Sequence, residues 1–381
     1  MLTTKLGYRP PSPREVMAVL RRRVQGRVRP PDPFKDDFPI PMAVLHADPL
    51  VCYSGIVDAA PLGVASLLGR RMRTRPAWFL LSPTWTAEDE FVARQRRYHA
   101  VLHRFFNPHH SFVFLCNTER EAAILQSLGE AAFVHNKTTG IDERLFRPLA
   151  GVATEFDAIY NAQLASWKRH ELTLEIPRCA FLFYRSTHAG TASTRQSEAA
   201  LIARHAEVAP GHVFINDYDA AGFPLRLPAE AVNRHLNRAS VGLCLSEEEG
   251  PMFACAEYLL SGLAALTTPN KGGRDFWLDD EFFITVAADP RSVAEGVAAL
   301  QARAIPREHV RARTMRRIDA ERARFIGLVN AIHEECGIDE EFPGFWPLKR
   351  PVIMEWMEPA EAMHRALAGT VDDLYPDTDR A

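Results

Sequence analysis

The sequence predicts an α/β protein built of two similar, Rossmann-like halves, and three observations support this fold class. Short apolar runs typical of buried strands alternate along the chain with longer segments whose apolar residues recur at helical spacing. The 381 residues, of which 47% are hydrophobic, suffice for two domains that each bury a core. Polar and glycine-containing stretches follow several of the apolar runs, as at the carboxyl ends of strands in an open sheet.

Composition and charge narrow the class of protein. A net charge of −3 argues against bulk nucleic-acid binding, and no apolar run reaches the roughly 18 residues of a membrane span. The first residues lack the uninterrupted apolar segment of a signal peptide. The six cysteines are scattered without a CxxC pair, and the histidines lack ligand spacing. We therefore expect a cytoplasmic protein with free thiols and no bound metal.

Changes in composition divide the chain into four regions. They are a basic, Pro-rich N-terminal extension (1–40), a first Rossmann-like domain (41–150), a second (151–345), and a C-terminal helix and tail (346–381) that we expect to cross back to the first domain. Pro30-Pro31-Asp32-Pro33 marks the linker after the extension.

The N-terminal extension has two interpretations. Val16–Val24 is predicted to form a short helix, which Arg21, Arg22 and Arg23 make basic. The favoured interpretation is a solvated extension. The alternative is a contact with the anionic inner face of a membrane, where the protein would be peripheral.

In the first domain, apolar runs predict strands and amphipathic stretches predict helices. The predicted strands are Met42–His46, Val51–Tyr53, Ala77–Leu81, Ser111–Cys116 and Ala132–His135. The predicted helices are Asp58–Leu68, Glu88–Phe106 and Glu119–Leu128. Thr118 and Glu121 have the spacing of a capping box at the start of the third helix.

The second domain continues the same alternation. The predicted strands are Phe156–Tyr160, Ala180–Tyr184, Val213–Asn216, Val241–Leu245, Ala264–Thr267 and Phe282–Val286. The predicted helices are His170–Ile176, Glu198–His205, Pro228–Asn237, Met252–Leu263 and Ser292–Arg303, followed in the tail by Pro359–Ala368.

Two glutamates mark the most informative stretch of the sequence. Glu249 lies at a strand-to-helix turn, and Glu257 lies eight positions later, about two helical turns on. Ligands of open α/β sheets bind beyond the carboxyl ends of the strands, and a helix N-terminus there suits phosphate. Glu249 can therefore accept hydrogen bonds from sugar hydroxyls, and Glu257 can reach the ribose of a nucleotide. Gly262 is placed to end the helix in a left-handed conformation.

This stretch resembles the signature of retaining GT-B glycosyltransferases of the family-four, or group 1, type. The matching residues are Ser246, Glu249, Gly250, Glu257, Gly262, Gly272 and Gly273. Weaker matches upstream are Asn117-Thr118-Glu119, Asn136, Gly140-Ile141-Asp142 and Phe146-Arg147-Pro148, so that the resemblance covers about residues 110–300. Pro251 and Met252 depart from it, because the family usually has an aromatic residue and a glycine there.

The resemblance implies a fold and an activity. It implies a GT-B fold, in which two Rossmann-like domains face each other across a cleft, the first binding the acceptor and the second a nucleotide sugar. It also implies transfer of a sugar with retention of configuration to an acceptor hydroxyl, in polysaccharide or glycoconjugate synthesis. The partners would be a nucleotide-sugar donor and a sugar or lipid-linked glycan acceptor. No cofactor would be needed, since the chemistry of the family is metal-independent.

Residue roles follow from the resemblance position by position. Glu249 would orient the donor sugar and Glu257 the ribose, with Gly250, Met252 and Phe253 beside the diphosphate. Lys168 matches a phosphate-binding lysine, and Arg169 is an adjacent alternative. The family's arginine is missing, since Asn161-Ala162 stand where Gly-Arg is usual. Arg185, after another strand, is a replacement candidate.

Further assignments have open alternatives. His46 touches the donor sugar if it follows the family, although a structural role is the favoured interpretation. Asp217 or Asp219 would act as nucleophile only in a less favoured double displacement. A nucleotide-sugar epimerase or a phosphorylase of the same fold is the alternative enzyme. A non-catalytic sugar-binding or scaffold relative is the alternative from another class.

Overall fold

The structure, a computed structural model, describes residues 1–28, 38–185, 195–344 and 352–372. The chain divides into two compact units, Met1–Ile141 with Glu321–Ala381, and Asp142–Ala320. The sequence placed the corresponding boundaries at 150/151 and 345/346. The predicted linker at Pro30–Pro33 and the end of the tail, 373–381, lie outside the described residues.

The described helices follow one another through both units. They are α1 (Leu2–Lys5), α2 (Pro13–Val24), α3 (Ala65–Leu68), α4 (Glu90–Phe106), α5 (Glu119–Ser127), α6 (Arg195–Val208), α7 (Ala229–Leu236), α8 (Phe253–Leu260), α9 (Pro290–Ala302), α10 (Arg307–Cys336) and α11 (Pro359–Ala368). Short 3-10 helices cover Lys137–Gly140, Ser166–Lys168, His170–Thr173 and Gly273–Trp277.

The described strands form one sheet in each unit. They are β1 (Ile40–His46), β2 (Leu50–Ile56), β3 (Ala77–Pro83), β4 (His110–Cys116), β5 (Ala132–Val134), β6 (Phe156–Asn161), β7 (Cys179–Leu182), β8 (Val213–Phe214), β9 (Ala239–Cys244), β10 (Ala264–Thr267), β11 (Phe283–Thr285) and β12 (Glu355–Met357). Each strand predicted from an apolar run is present, with ends shifted by a few residues.

The sheet of the first unit has the order β12-β1-β2-β3-β4-β5. Strands β2 to β5 are parallel, whereas β1 pairs in antiparallel fashion with both β2 and β12. The central residues of β3 and β4, 77–81 and 112–116, are apolar and buried without alternation, as is usual for parallel strands covered on both faces. Thr118 caps α5 by accepting a hydrogen bond from the Glu121 nitrogen at 3.1 Å, as its spacing predicts.

The sheet of the second unit has the order β11-β10-β9-β6-β7-β8 and is parallel throughout. The chain order therefore reverses between β6 and β9, which lie side by side. Crevices at such reversals, beyond the carboxyl ends of the strands, are the usual ligand sites of open α/β sheets. The two strands end at Asn161 and Cys244.

The C-terminal segment belongs to the first unit. Strand β12 pairs with β1, and α11 packs on β1 and α3. Beyond α11, the Asp372 carboxylate accepts a hydrogen bond from the Val44 nitrogen at 2.7 Å and binds Arg365 at 2.9 Å. These contacts fasten the described end of the chain to the edge of the first sheet.

Two helix predictions were wrong in part. Only Ala65–Leu68 of the helix expected over 58–68 is helical, because Pro61 and the left-handed Gly63 (φ 53°) interrupt the preceding residues. The helix expected over 170–176 is a single 3-10 turn, His170–Thr173, after the left-handed Arg169.

The long helix α10 was not predicted. It is rich in arginine and glutamate, which obscures its narrow apolar stripe. That stripe includes Ile318, Phe325, Val329 and Ile332, all fully buried and three to seven positions apart. The spacing was therefore a usable helical signal. The second boundary between the units, Ala320/Glu321, falls inside this helix.

Candidate functional site

A loop of the second unit carries Glu249 between β9 and α8, and backbone hydrogen bonds fix it to a second loop. The Glu249 nitrogen donates to the Lys271 oxygen at 3.0 Å, and the Lys271 nitrogen donates to the Glu247 oxygen at 3.0 Å. The Gly273 nitrogen donates to the Gly250 oxygen at 3.1 Å. The predicted glycine turn after β10 thus supports the predicted ligand loop after β9.

Gly272 makes this close approach of the two loops feasible. Its φ of 123° disfavours any residue with a side chain, and a Cβ there would overlap the carbonyl oxygen of Glu249. Gly262 also behaves as predicted, because it follows α8 with a φ of 77°.

Met252 stands at the N-terminus of α8 in a left-handed conformation, with φ 46° and ψ 89°. This conformation is uncommon for a residue with a side chain. It gives a physical reason why a glycine suits this position in the proteins that the loop resembles. Met252, the residue before α8, makes no side-chain hydrogen bond to the helix. The N–H groups that begin at Phe253 are therefore left without this cap. Such a helix end can accept an anion.

Lys168 and Glu249 form a buried ion pair through Lys168 Nζ and Glu249 Oε1. Ser246 Oγ donates to the same oxygen at 2.7 Å. Burial first, and then the positive charge of Arg274, lower the pKa of Lys168 from its usual value. The carboxylate of Glu249 opposes this shift by favouring the charged ammonium. The predicted phosphate-binding lysine and the predicted sugar-binding glutamate therefore contact each other in this structure.

Arg274 is a residue of this cluster that the sequence analysis missed. It is fully buried, and its Nη2 donates to the Ser246 oxygen at 2.7 Å. Its Nη1 lies 3.8 Å from Met252 Sδ, and its buried Nε has no hydrogen-bond partner among the described residues. The available signal was its position, directly after Gly272-Gly273. Arg274 adds a fixed positive charge beside the N-terminus of α8.

Glu257 lies on α8, half-buried, and is held by the strand next to β9. Asn161 Nδ2, at the end of β6, donates to Glu257 Oε2 at 2.9 Å. The Asn161 nitrogen also donates to the hydroxyl of Tyr258 at 2.6 Å. Burial raises the pKa of Glu257 to about 7, against the opposing effects of Asn161 and Arg226. Asn161 therefore occupies one oxygen of the carboxylate that we expect to bind ribose.

The two arginine candidates have protein partners. Arg169 Nε donates to the Leu245 oxygen at 2.7 Å, and its Nη2 donates to Thr268 Oγ1 at 2.7 Å, so that it joins the ends of β9 and β10. Arg185 binds Glu198 with Nε at 2.9 Å and also with Nη2, and it stacks on Phe223. The hydrogen bond to Glu198 is the main reason that the pKa of Arg185 is raised.

Asp217 and His46 are the remaining candidates. Asp217 is exposed after β8, where its backbone oxygen accepts a hydrogen bond from Leu225 at 2.7 Å. Among the described residues, no contact joins Asp217 or Arg185 to the Glu249 cluster. His46 ends β1 of the first unit, with Nδ1 2.9 Å from the Pro49 oxygen and its ring 5.4 Å from that of His333.

The described residues contain neither a group of side chains suited to a metal ion nor a helix suited to span a membrane. Over residues 1–28, 38–185, 195–344 and 352–372, no three His, Cys, Asp or Glu side chains are grouped so as to hold a metal ion. Within the same ranges, each helix is too short or too polar to cross a membrane.

The fold of the chain is that of known glycosyltransferases. Anabaena HepE, solved in complex with UDP, aligns with 70% of this chain and 76% of its own at a TM-score of 0.51 and 12% identity. Sucrose-phosphate synthase from Thermosynechococcus elongatus aligns with 75% of this chain and 74% of its own at a TM-score of 0.54 and 14% identity. No protein-family model matches the chain, and no curated protein matches its sequence.

These structural neighbours are GT-B glycosyltransferases, whose domains are Rossmann-like. The predicted α/β fold with two Rossmann-like domains is therefore confirmed. At identities this low, the comparison shows the fold and leaves activity to be argued from the residues of the site.

Proposed function

We propose that this protein is a retaining glycosyltransferase that moves a sugar from a nucleotide-sugar donor to an acceptor hydroxyl. The observation that carries the proposal is the arrangement around Glu249. Its loop is held by the Gly272 turn, its carboxylate contacts Lys168, and α8 begins three residues after Gly250 without a capping side chain. Carboxylate, ammonium and free helix N–H groups are the set of contacts that a sugar diphosphate requires.

Each group has a role in binding the donor. The N–H groups that begin at Phe253 and the Lys168 ammonium bind the diphosphate, and the buried Arg274 adds positive potential. Glu257 accepts hydrogen bonds from the ribose hydroxyls, in competition with Asn161. Glu249 accepts hydrogen bonds from the sugar that is transferred. Its Oε2 has no hydrogen-bond partner among the described residues and is available for this contact.

Transfer then requires stabilisation of the leaving diphosphate. Negative charge grows on the phosphate oxygen as the sugar–oxygen bond breaks, and preorganised donors stabilise it most where water is excluded. Lys168 and the N-terminus of α8 supply these donors. We favour attack of the acceptor on the face from which the phosphate leaves, with the phosphate taking the acceptor proton. A double displacement through Asp217 is the less favoured route, since among the described residues no hydrogen bond or ion pair joins that side chain to the Glu249 cluster.

We further propose a peripheral site of action for the protein. Met17 and Val24 of α2 are 62% and 88% exposed, beside the exposed Arg21 and Arg22. Apolar and basic side chains on one exposed helix suit the anionic surface of a membrane, where a lipid-linked glycan acceptor would be found. The family resemblance likewise points to polysaccharide or glycoconjugate synthesis.

Two observations favour a second function, that of a non-catalytic sugar-binding relative. Ala162 stands where an arginine is usual, and Asn161 binds the carboxylate expected to hold ribose. Calorimetry with a panel of nucleoside diphosphates, followed by a test for slow hydrolysis of the best nucleotide sugar, separates the two functions. Nucleotide binding with hydrolysis supports the transferase. Nucleotide binding without hydrolysis, in the presence of candidate acceptors as well, supports the relative, and no nucleotide binding contradicts both.

A further inference from the structure

Buried charged side chains gather at the carboxyl ends of β3 and β4 in the first unit. Arg96 of α4 is 8% exposed, Lys137 is 7% exposed, and Glu121 of α5 is fully buried. Nearby, Asn117 directly follows β4, and its Oδ1 is buried without a hydrogen-bond partner among the described residues. This edge of a parallel sheet is where α/β proteins bind their ligands.

Arg96 is the unusual member of this cluster. A guanidinium has five N–H donors, yet no hydrogen bond or ion pair of Arg96 is found in the part of the chain that the structure describes. Its Nη1 is fully buried and without a partner there. Burial has the largest effect on the pKa of Arg96 and lowers it, whereas the negative charges of Glu121 and Asp58 raise it. Burying an arginine without a partner is unfavourable, and strongly perturbed buried groups of this kind cluster at functional sites.

Lys137 has unused donors beside Arg96. Its Nζ donates to the backbone oxygen of Pro83, and no other partner of its ammonium is found among the described residues. Burial is the main cause that lowers the pKa of Lys137, and the positive charge of Arg96 acts in the same direction, against the negative charge of Glu121. Two cations that together hold eight N–H donors therefore use one of them within the described chain.

The buried carboxylate of Glu121 already accepts hydrogen bonds from backbone N–H groups. Glu121 Oε1 accepts from the Ala87 nitrogen at 2.7 Å, and Oε2 accepts from the Asn117 nitrogen at 2.6 Å. Glu121 thus offsets one positive charge, while burial lowers the pKa of Lys137 to about 7, so that a bound anion would favour the charged form of this lysine. Asp58, the other anion that acts on Arg96, is exposed to water.

An aromatic side chain lies in the loop beside these cations. The loop 83–87 is fixed at both ends, since Pro83 accepts from Lys137 and Ala87 donates to Glu121. Between them Trp85 is 39% exposed, and Thr86 Oγ1 is buried without a partner among the described residues. An exposed aromatic ring next to convergent polar groups is the usual composition of a small-molecule site.

We propose that Arg96 and Lys137 bind an oxyanion carried by a sugar, with Trp85 against the sugar ring. The acceptor of the proposed transfer reaction is then an acidic sugar, whose anion is a carboxylate, or a sugar phosphate. This inference rests on the proposed function, because it assigns the site to the acceptor. Carboxylate and phosphate oxygens both match the planar donors of a guanidinium and the ammonium of a lysine.

Calorimetry on the intact protein tests the site without a donor present. The probes are glucuronate, glucose 6-phosphate and neutral glucose. We expect at least one of the two anionic sugars to bind about tenfold or more tightly than glucose, as a charge-assisted contact provides. The tighter of the two identifies the anion as carboxylate or phosphate. Equal binding of all three sugars, or binding of none, overturns the proposal.

Variants of α4 separate a binding role from a structural one. Arg96→Met should remove the preference for anionic sugars while leaving the melting temperature unchanged or higher, since it removes an unpaired buried charge. Arg94→Met, an exposed position two residues earlier on the same helix, should keep the preference. A lower melting temperature with an intact preference would show that Arg96 is structural and overturn the proposal. If Arg96→Met does not fold, Lys137→Met provides the same comparison.

The same samples are titrated with the nucleoside diphosphate that the wild-type protein binds best. If the nucleotide binds and the protein shows no preference for anionic sugars, this inference fails and the transferase function stands. Absence of nucleotide binding means that the proposed function itself fails.

Discussion

The ammonium of Lys168 and the carboxylate of Glu249 are paired inside the second unit, at the carboxyl ends of β6 and β9. One residue is assigned to the phosphate of the donor and the other to its sugar. Without a donor, each charge neutralises the other, which limits the cost of burying both. Under the proposed function, the diphosphate of a nucleotide sugar would compete with Glu249 for Lys168, and its sugar hydroxyls would replace the lysine at Glu249.

Breaking this pair from one side should destabilise the protein. Lys168→Met leaves the Glu249 carboxylate buried without a cation, and we expect a loss of about 3–5 kcal/mol in the free energy of unfolding. Lys168→Met combined with Glu249→Gln should recover much of that loss, because the unpaired charge is gone. Chemical denaturation of the single and double variants measures this coupling. Additive losses would mean that the two side chains do not interact.

The two glutamates should differ in what they bind. Glu257→Gln keeps the shape of the side chain and loses its charge, so affinity for a nucleoside diphosphate should fall about tenfold to a hundredfold. Glu249→Gln should lower the transfer rate, because Glu249 is assigned to the transferred sugar. It should leave the affinity for a nucleoside diphosphate unchanged, because the substitution releases Lys168 for phosphate.

Calorimetric affinity and transfer rate, measured on folded variants, check these expectations. An equal loss of nucleotide affinity in both variants would mean that the two roles are wrongly assigned. Unchanged affinity and rate in both would mean that neither glutamate contacts the donor.

Nucleoside binding should depend on pH through Glu257. Burial raises the pKa of this carboxyl to about 7, so that it is mostly protonated in the free protein below that pH. A protonated carboxyl accepts hydrogen bonds from the ribose hydroxyls less well than a carboxylate does. Affinity for the nucleoside should therefore rise as the pH increases through about 7.

Calorimetry with a nucleoside avoids the titration of a phosphate group in the same range. Glu257→Gln is the control, since it should bind weakly at every pH and remove the dependence. A wild-type profile as flat as that of the variant would show that Glu257 does not contact the ribose.

Gly272 should be intolerant of a side chain. Gly272→Ala adds a Cβ that overlaps the Glu249 carbonyl oxygen, at a φ of 123°. We expect it to lower the free energy of unfolding by about 1–3 kcal/mol or more and to abolish donor binding by displacing the Glu249 loop. Gly151→Ala is a matched control, because Gly151 also has positive φ (76°) with no atom within 4 Å of a new Cβ. Similar effects of both substitutions would show that backbone conformation alone accounts for the loss.

The sequence was sufficient for the strands and for the loop around Glu249. Apolar runs of three to six residues between polar or glycine-containing stretches indicated the buried strands, and glycines such as Gly262 and Gly272 stand where their backbone conformation is required. The fold class, the loop after β9 and the glycine turn after β10 followed from these local signals, whereas the hydrogen bonds between the two loops did not.

Other features depend on contacts that local patterns do not encode. The sequence does not reveal that Asn161 binds Glu257, that Glu198 binds Arg185, or that Arg274 is fully buried beside Ser246. Each of these is set by tertiary packing between segments separated in the chain by 13 to 96 residues. Strand β12 was missed because three residues carry little periodicity, and its place is set by β1.

The first unit is discontinuous in sequence, and this has a consequence for synthesis of the chain. Residues 142–320 are contiguous and can complete their sheet while the ribosome is still translating. The first unit is completed later, because β12 and the buried residues Phe325, Val329 and Ile332 of α10 come from beyond residue 320. Until Glu355–Met357 leaves the exit tunnel, β1 presents an unpaired edge that other chains can join. The nascent chain is therefore most prone to aggregation, and most dependent on chaperones, at its N-terminal half.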